Sequence, residues 1–431
     1  MHARNIFTVL LCLFFCLFLL LTISGCGDDE SGDDSTDSAE EMPADDDVDD
    51  DQGDDADDDV DDDLNDDVDD DIPWPYSPAD ATGPYAVGVE TRYFVDESRY
   101  EIWGNNRRVL STEIWYPSNG VGGTPNDMFS MVGELPPWAM PVFENIYGEG
   151  ADDLFSITTS AYRGAEITDQ IDEFPVIIFS HGHMAVRFQN YTLCEYLASH
   201  GFVVLAPDHY GNAIFANSPQ TGIVLFNPLS IVSSYIDRTL DIDFVVKELR
   251  LMDAKEDSRW QGRLDMEKLG LSGHSYGGLT AMLAVSRYEY IKAVAPLNPA
   301  WIGYFPKTFN RAFFMIQSDR DDIIGAAMND GIKFVYEKIE SVNKARILLL
   351  NAGHYNATDA CGLFPEMLLG PSIGCDGGML DPVVANEITC SYLTAFFLSA
   401  LNDDIRYNDY LTTNHFPEFI EYSSVWENLT K

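Results

Sequence analysis

The chain has 431 residues and a formal net charge of −47, and 27 of its acidic residues fall between Gly27 and Asp71, where there is no Lys or Arg. The remainder still carries about −20, a charge that opposes a phosphate backbone and argues against nucleic-acid binding. Setting the apolar start and the acidic run aside leaves about 360 residues, the size of one large α/β domain with insertions and ample for a core.

The chain reads first as leader, then spacer, then domain. Arg4 precedes an apolar stretch from Ile6 to Ile23 that closes on small residues, the pattern of an export signal. Ile23-Ser24-Gly25-Cys26 resembles the bacterial lipobox, which implies that Cys26 becomes the lipidated first residue of a protein held in the bacterial cell envelope, on the periplasmic or surface side. An uncleaved membrane anchor is the other reading of these flanks, and either way the rest is exported. The expected boundaries are 1–26 for the leader, 27–78 for an acidic tether and 79–431 for the domain. Repeats such as DDDVDDD repel one another and offer almost nothing to bury, so the tether is expected to be extended and disordered. Weak Ca²⁺ binding is the alternative to a plain spacer, but the D-x-D-x-D-G loop with its closing Glu is absent. Export leaves Cys194, Cys361, Cys375 and Cys390 in a compartment that permits disulfides. Cys361 and Cys375 bracket one loop and are the preferred pair, although four cysteines allow three pairings.

Alternation at Val87-Val89-Thr91-Tyr93 and at Leu110-Thr112-Ile114-Tyr116 predicts two antiparallel strands opening the sheet. Residues 118–170 form an insertion rich in Gly, Pro and aromatics, either a flap over a site or packing over a strand edge. Val176-Ile177-Ile178-Phe179 is continuously apolar, as a central parallel strand is, and runs into Ser180-His181-Gly182-His183. A helix over 193–200 stops at Gly201, and Phe202–Ala206 gives the next strand, ending at Pro207-Asp208-His209. His181, His183, Asp208 and His209 also admit a metal-ligand reading, which needs convergent imidazoles and supporting groups; none is the expectation. Residues 212–234 form a second aromatic insertion. Arg238 and Asp241, spaced i,i+3 on a helix through Leu249, read as a surface ion pair of little energetic worth.

Leu269 to Gly278 reads LGLSGHSYGG. An apolar strand runs into Gly273-His274-Ser275-Tyr276-Gly277, and a helical pattern follows over 279–285, the strand–turn–helix setting that makes G-x-S-x-G a nucleophile elbow. A serine hydroxyl needs a base within reach, and the base needs a carboxylate. Strands at 291–296, 312–316 and 347–350 follow, the last running into Asn351-Ala352-Gly353-His354. His354 is the expected base. Asp321, in the loop Ser318-Asp319-Arg320-Asp321-Asp322, is the expected acid, with Asp319 and Asp322 as alternatives. The main-chain N–H groups of His183 and Tyr276 are the expected oxyanion donors. Residues 385–401 read as a closing helix.

The elbow and the His-Gly strand end resemble those of α/β-hydrolases. The opening strands and LASHGFVVLAPDH resemble bacterial hydrolases related to platelet-activating-factor acetylhydrolase and to dienelactone hydrolases. The resemblance covers most of 83–401. It implies a mostly parallel central sheet with helices on both faces, a serine esterase of the acetylhydrolase or carboxylesterase type, a small-molecule or lipid ester as substrate, and no cofactor. Asp321 matches the acid of cutinase-type and dienelactone-type loops. Acetylhydrolases of eukaryotes place their acid one strand earlier, where this chain has Asn298, and an amide cannot supply the charge. A lipase or cutinase-like polyester hydrolase is the neighbouring alternative, and a non-catalytic surface binding protein on the same scaffold is the alternative of another class.

Overall fold

The strands follow the apolar runs. β1 (Ala86–Tyr100) and β2 (Arg107–Ser118) pair antiparallel, and β3 (Thr124–Asp127) leads through a short helix α1 (Met128–Val132) and α2 (Ala151–Ser156) to β4 (Thr158–Arg163). β5 (Phe174–Ser180), helix α3 (Tyr191–Ser199) and β6 (Val203–Pro207) form the first parallel unit. The hairpin β7 (Phe215–Ser218) and β8 (Gly222–Leu225) follows, then helix α4 (Ser234–Ala254), β9 (Leu264–His274) and helix α5 (Tyr276–Arg287). β10 (Ile291–Leu297), β11 (Ala312–Ser318), helix α6 (Ala326–Lys338) and β12 (Asn343–Leu349) continue the sheet. A short helix α7 (Ala360–Leu363), the long helix α8 (Pro382–Asn402) and β13 (Ile420–Trp426) close the chain. The computed structural model describes residues 76–426, apart from 102–105, 134, 142–150, 302, 304–310, 342, 364–372 and 376. The leader, Cys26 and the acidic run as far as residue 75 lie outside the described residues.

Eleven strands form one sheet in the order β13-β12-β11-β10-β9-β5-β6-β2-β1-β4-β3. Its centre, from β6 through β5 and β9 to β12, is parallel. This is the α/β-hydrolase fold, a mostly parallel sheet with helices on its faces. β5 and β6 lie on one side of β9, whereas β10, β11 and β12 lie on the other. The strand order therefore reverses between β5 and β9, and a crevice opens at the carboxyl ends of two such strands. Ser180 sits opposite Gly273 in the register there.

Three differences from the sequence reading have physical causes. Residues 118–170 do not simply pack over a strand edge: β4 pairs with β1 and β3 with β4, so the segment widens the sheet. Residues 347–350 are not in the last strand, because β13 pairs antiparallel with β12; its alternating burial belongs to a half-covered edge. Helix α4 is not a surface helix along its Arg238 face. Arg238, Asp241, Ile242, Val245 and Leu249 are all buried, at spacings of one helical stripe.

Helix α8 is long and apolar enough to cross a membrane, but two thirds of its most apolar window is buried in the domain (67%). Leu393, Phe396, Phe397 and Leu398 are wholly buried, each such side chain worth about 1.5–3 kcal/mol of apolar burial. Phe397 lies against Gly270 of β9, where a Cβ would sit 2.7 Å from the ring. Phe397→Ala should therefore cost about 3–5 kcal/mol, read as a fall in the midpoint of thermal unfolding. An unchanged midpoint would mean that α8 is not anchored through this ring.

Candidate active site

The elbow is a packing problem solved by glycine. Ser275 has φ 56° and ψ −118°, in the left-handed region that a side-chain-bearing residue adopts only when its surroundings hold it there. Its N–H donates to the Leu297 carbonyl at 2.8 Å, and its own carbonyl accepts from Leu279 and Ala300. A Cβ on Gly277 would collide with the Ser180 carbonyl, and one on Gly273 would lie 2.5 Å from the Gly277 oxygen. The end of β5 and the start of α5 thus touch through bare backbone, which sets residues 180–183 beside the serine. A Cβ on Gly182 would come within 3.6 Å of Ser275 Cβ.

His354 follows β12, and Asp321 follows β11. His354 Nδ1–H donates to Asp321 Oδ2 at 2.6 Å, and both side chains are buried. The other carboxylate oxygen, Oδ1, accepts the Ile324 N–H at 2.9 Å. The two neighbouring carboxylates do not reach the ring: Asp319 Oδ1 accepts from Ala352 N, and Asp322 is exposed. Ser275 Oγ and His354 Nε2 are not joined by a hydrogen bond. Such bonds are often long before substrate binds.

Three residues that the sequence reading missed, or assigned otherwise, tie these loops together. Gln189 is buried; its Oε1 accepts from Gly182 N–H at 2.7 Å, and its Nε2 donates to His274 Nδ1 at 2.7 Å. The His274 Nε2–H donates onward to the His354 carbonyl at 2.8 Å. A carbonyl only accepts, so the tautomer of His274 is fixed by its partners. Asn298, at the position of the missing acid, donates to that same carbonyl at 3.0 Å. Arg238, read as half of a surface pair, is fully buried under residues 180–183, and it makes no ion pair with Asp241. The helical stripe that buries it was present in the sequence. Gln189 carried no comparable signal.

His183 and Tyr276 are neighbours across the crevice, with ring centroids 6.0 Å apart, and Phe226 of the second insertion meets the His183 ring edge-on at 5.1 Å. The remaining polar residues hold the floor. Asp208 pairs with Arg187 at 2.6 Å, and Arg187 also reaches Glu113 at 3.1 Å. Asp241 is gripped by Arg108 at 2.6 Å through two bonds and accepts from His209 Nδ1 at 2.9 Å; His209 Nε2 faces Ser180 Oγ at 2.8 Å. His181 Nδ1–H donates to the Gly182 carbonyl, and its Nε2 accepts the His209 N–H at 3.1 Å. Asn212 Nδ2 lies 3.4 Å from His183 Nδ1, so all four residues open to a metal reading are engaged in protein hydrogen bonds.

Cys361 and Cys375 are joined by a disulfide, while Cys194 and Cys390 are buried free thiols. The bridge closes the segment after His354, and Tyr355 N–H bonds the Ile373 carbonyl at 2.8 Å.

Two sequence families match this chain. Residues 79–219 match "Platelet-activating factor acetylhydrolase, isoform II", and residues 151–365, which include Ser275, Asp321 and His354, match "PET hydrolase-like". A solved ferulic acid esterase from Streptomyces cinnamoneus superposes with a TM-score of 0.59 at 23% identity, covering 76% of this chain and 92% of that one. The chain has the α/β-hydrolase fold. Within that class it is similar to platelet-activating factor acetylhydrolase from Bos taurus, 26% identical over 38% of this chain and 44% of the other protein. It is also similar to cutinase est1 from Thermobifida alba, 25% identical over 55% of this chain and 64% of the cutinase. The chain thus spans less than two thirds of the acetylhydrolase and of the cutinase.

Two outcomes follow from the site's surroundings. The disulfide spans 14 residues of sequence, for which loop closure predicts about 3 kcal/mol. Cys361→Ser should lower the unfolding midpoint accordingly, and the wild type in reductant should match it. Burial holds His183 and His209 down to about 3, and His181 and His274 well below their ordinary range. These four stay neutral in the fold but take up protons near pH 6.5 once unfolded, so stability is full above that pH and drains as pH falls. Each drains about 1.4 kcal/mol per pH unit. Burial raises Asp208 to about 6, Asp359 to about 7, and Glu101, Glu195 and Glu248 above their ordinary range, which works in the opposite direction, whereas His200 is lowered and adds to the loss. The unfolding midpoint should fall from about pH 6.5 downward. A midpoint flat down to pH 5 would overturn the expectation that the buried histidines dominate acid stability.

Proposed function

We propose that this protein is an exported, lipid-anchored serine esterase that hydrolyses carboxylic esters through an acyl-enzyme. One observation carries the reading: a buried Asp321–His354 hydrogen bond opens onto a strained serine elbow at the switch point of the sheet. The match to acetylhydrolase and PET hydrolase-like families supports it. In this reading Ser275 Oγ attacks the ester carbonyl carbon as His354 Nε2 takes its proton. Asp321 holds the Nδ1 tautomer and stabilises the imidazolium. The negative charge on the former carbonyl oxygen falls to the His183 and Tyr276 N–H groups. His354 then protonates the departing alcohol. Water, deprotonated by the same ring, releases the acid and restores Ser275. No cofactor takes part.

The substrate class proposed is short-chain or oxidised phospholipid acyl esters, from the acetylhydrolase relatives; a polyester is the alternative that the cutinase relatives suggest. The leader pattern and Cys26 support placement in the bacterial cell envelope, with the acidic run as spacer.

Hydrolysis of p-nitrophenyl esters from acetate to dodecanoate tests this. Ser275→Ala should lower kcat by up to about a million-fold and Asp321→Asn by about ten-thousand-fold, while Asp319→Asn and Asp322→Asn stay near wild type. A maximum at short chains supports the acetylhydrolase-type pocket, and one at long chains an open groove. A folded wild type that neither turns over esters nor reacts with a fluorophosphonate is a binding scaffold.

A further inference from the structure

Arg238 has an unusual set of partners for a buried cation. Its Nη1 donates to the His181 carbonyl at 2.5 Å, and its Nη2 to the Gly182 carbonyl at 3.0 Å and to Asn212 Oδ1. Ser180 Oγ lies at 3.5 Å from Nη1, and the guanidinium carbon sits 5.0 Å from the centroid of the Tyr276 ring. Its Nε has no partner. Every acceptor is neutral. The other two buried arginines among the described residues contrast with it: Arg108 is paired with Asp241, and Arg187 with Asp208 and Glu113. Asp241, the carboxylate three residues along the same helix, is taken up by Arg108 and His209.

The peptide geometry gives these bonds a direction. In a trans peptide the C=O and the following N–H point opposite ways. The His181 carbonyl points at Arg238, and the Gly182 N–H, on the other side of that peptide, points at Gln189. The Gly182 carbonyl also points at Arg238, with His181 Nδ1–H as a second donor at 2.7 Å. The His183 N–H must then face away from the guanidinium. Tyr276, which carries the other main-chain donor, is held from the same cation by its ring, and its hydroxyl accepts from Ser234 at 2.8 Å.

We propose that Arg238 is a positioning residue for the oxyanion hole: it clamps two successive carbonyls so that the His183 N–H is aimed into the crevice, and leaves a positive charge with no carboxylate bonded to it beneath the place where the oxyanion forms. The inference rests on the esterase reading. A cation with only neutral acceptors favours an anion nearby, in surroundings dry enough for the field to be felt. Burial draws the guanidinium down to about 9, with Asp241 only partly offsetting it.

The test separates transition-state stabilisation from binding. Arg238→Gln should lower kcat by about 10²–10³ and leave KM within about threefold. Affinity for a trifluoromethyl ketone, which forms a tetrahedral adduct with serine, should fall by the same factor as kcat/KM, while affinity for the matching unreactive amide holds. Arg238→Lys keeps a cation able to reach both carbonyls and should recover most of the rate. Asn212→Asp removes no donor of the clamp but sets a carboxylate against the guanidinium, and it too should lower kcat at unchanged KM; it carries the test if Arg238→Gln does not fold. Equal losses for ketone and amide would overturn the proposal in favour of a purely structural role, as would wild-type kcat in Asn212→Asp and Arg238→Gln. A wild type that neither hydrolyses esters nor takes a fluorophosphonate would instead overturn the esterase reading, and this inference with it.

Discussion

The site depends on one place where two pieces of backbone meet with no side chain between them. Residue 277 at the start of α5 lies against the Ser180 carbonyl at the end of β5 so closely that any Cβ would strike it. That contact is possible only with glycine, and it makes the two strand ends at the switch point a single structure. Ser275 is forced into the left-handed region as a result, with its side chain standing over the crevice. The cost of such a backbone conformation is of order 1–3 kcal/mol, and it persists only because the sheet and helix over-determine it. The relay from Gly182 through Gln189 and His274 to the His354 carbonyl then carries the alignment from β5 across the elbow to the loop after β12.

The floor beneath is built from buried charge, which is costly in itself. Taking a carboxylate and a guanidinium out of water is repaid only where geometry is good and spare lone pairs are occupied. Asp208 and Asp241 meet that condition: Asp208 takes two bonds from Arg187 side chain and main chain, and Asp241 takes two from Arg108 and one from His209. These pairs fix the ends of β5 and β6 against α4, while burial and the nearby Arg238 charge keep His181 and His209 neutral as hydrogen-bonding spacers. A hydrophobic floor would be no less stable, but it would offer no partners for the polar groups of 180–183.

How much of this could be read from the sequence depended on the range of the interaction. The elbow is local: strand, turn and helix lie within twenty residues, and the steric need for Gly273 and Gly277 is written in the motif. Asp321 and His354 sit at strand ends marked by apolar runs, so their positions were legible even though their contact spans 33 residues. β13 was not legible, because an edge strand with alternating burial resembles any exposed segment and pairs only after α8 has turned the chain back. Nor was the pairing of β4 with β1, which lies across an insertion. Arg238 was legible in principle, since Ile242, Val245 and Leu249 mark its stripe, but a charged residue on a helix reads as exposed unless its own stripe is weighed first. Gln189 gives no such cue, as its partners lie seven and 85 residues away.

Asn298 shows how an amide can serve the frame of this site at a strand end that bears no carboxylate. The resemblance to eukaryotic acetylhydrolases implies an acid at this strand end, whereas here the carboxylate bonded to His354 comes from Asp321 on the next strand. The amide left behind still acts on His354, but through the main chain: its Nδ2 donates to the His354 carbonyl at 3.0 Å and to Ser318 Oγ at 3.0 Å. Asn298 itself has φ 39°, a conformation that Asn and Asp tolerate better than other non-glycine residues. The ring of His354 is therefore held at Nδ1 by β11 and its carbonyl by β10 and the elbow. An amide suits that second task better than a carboxylate would. A carboxylate has no N–H to donate, and its charge would lie close to the carbonyl it had replaced as partner.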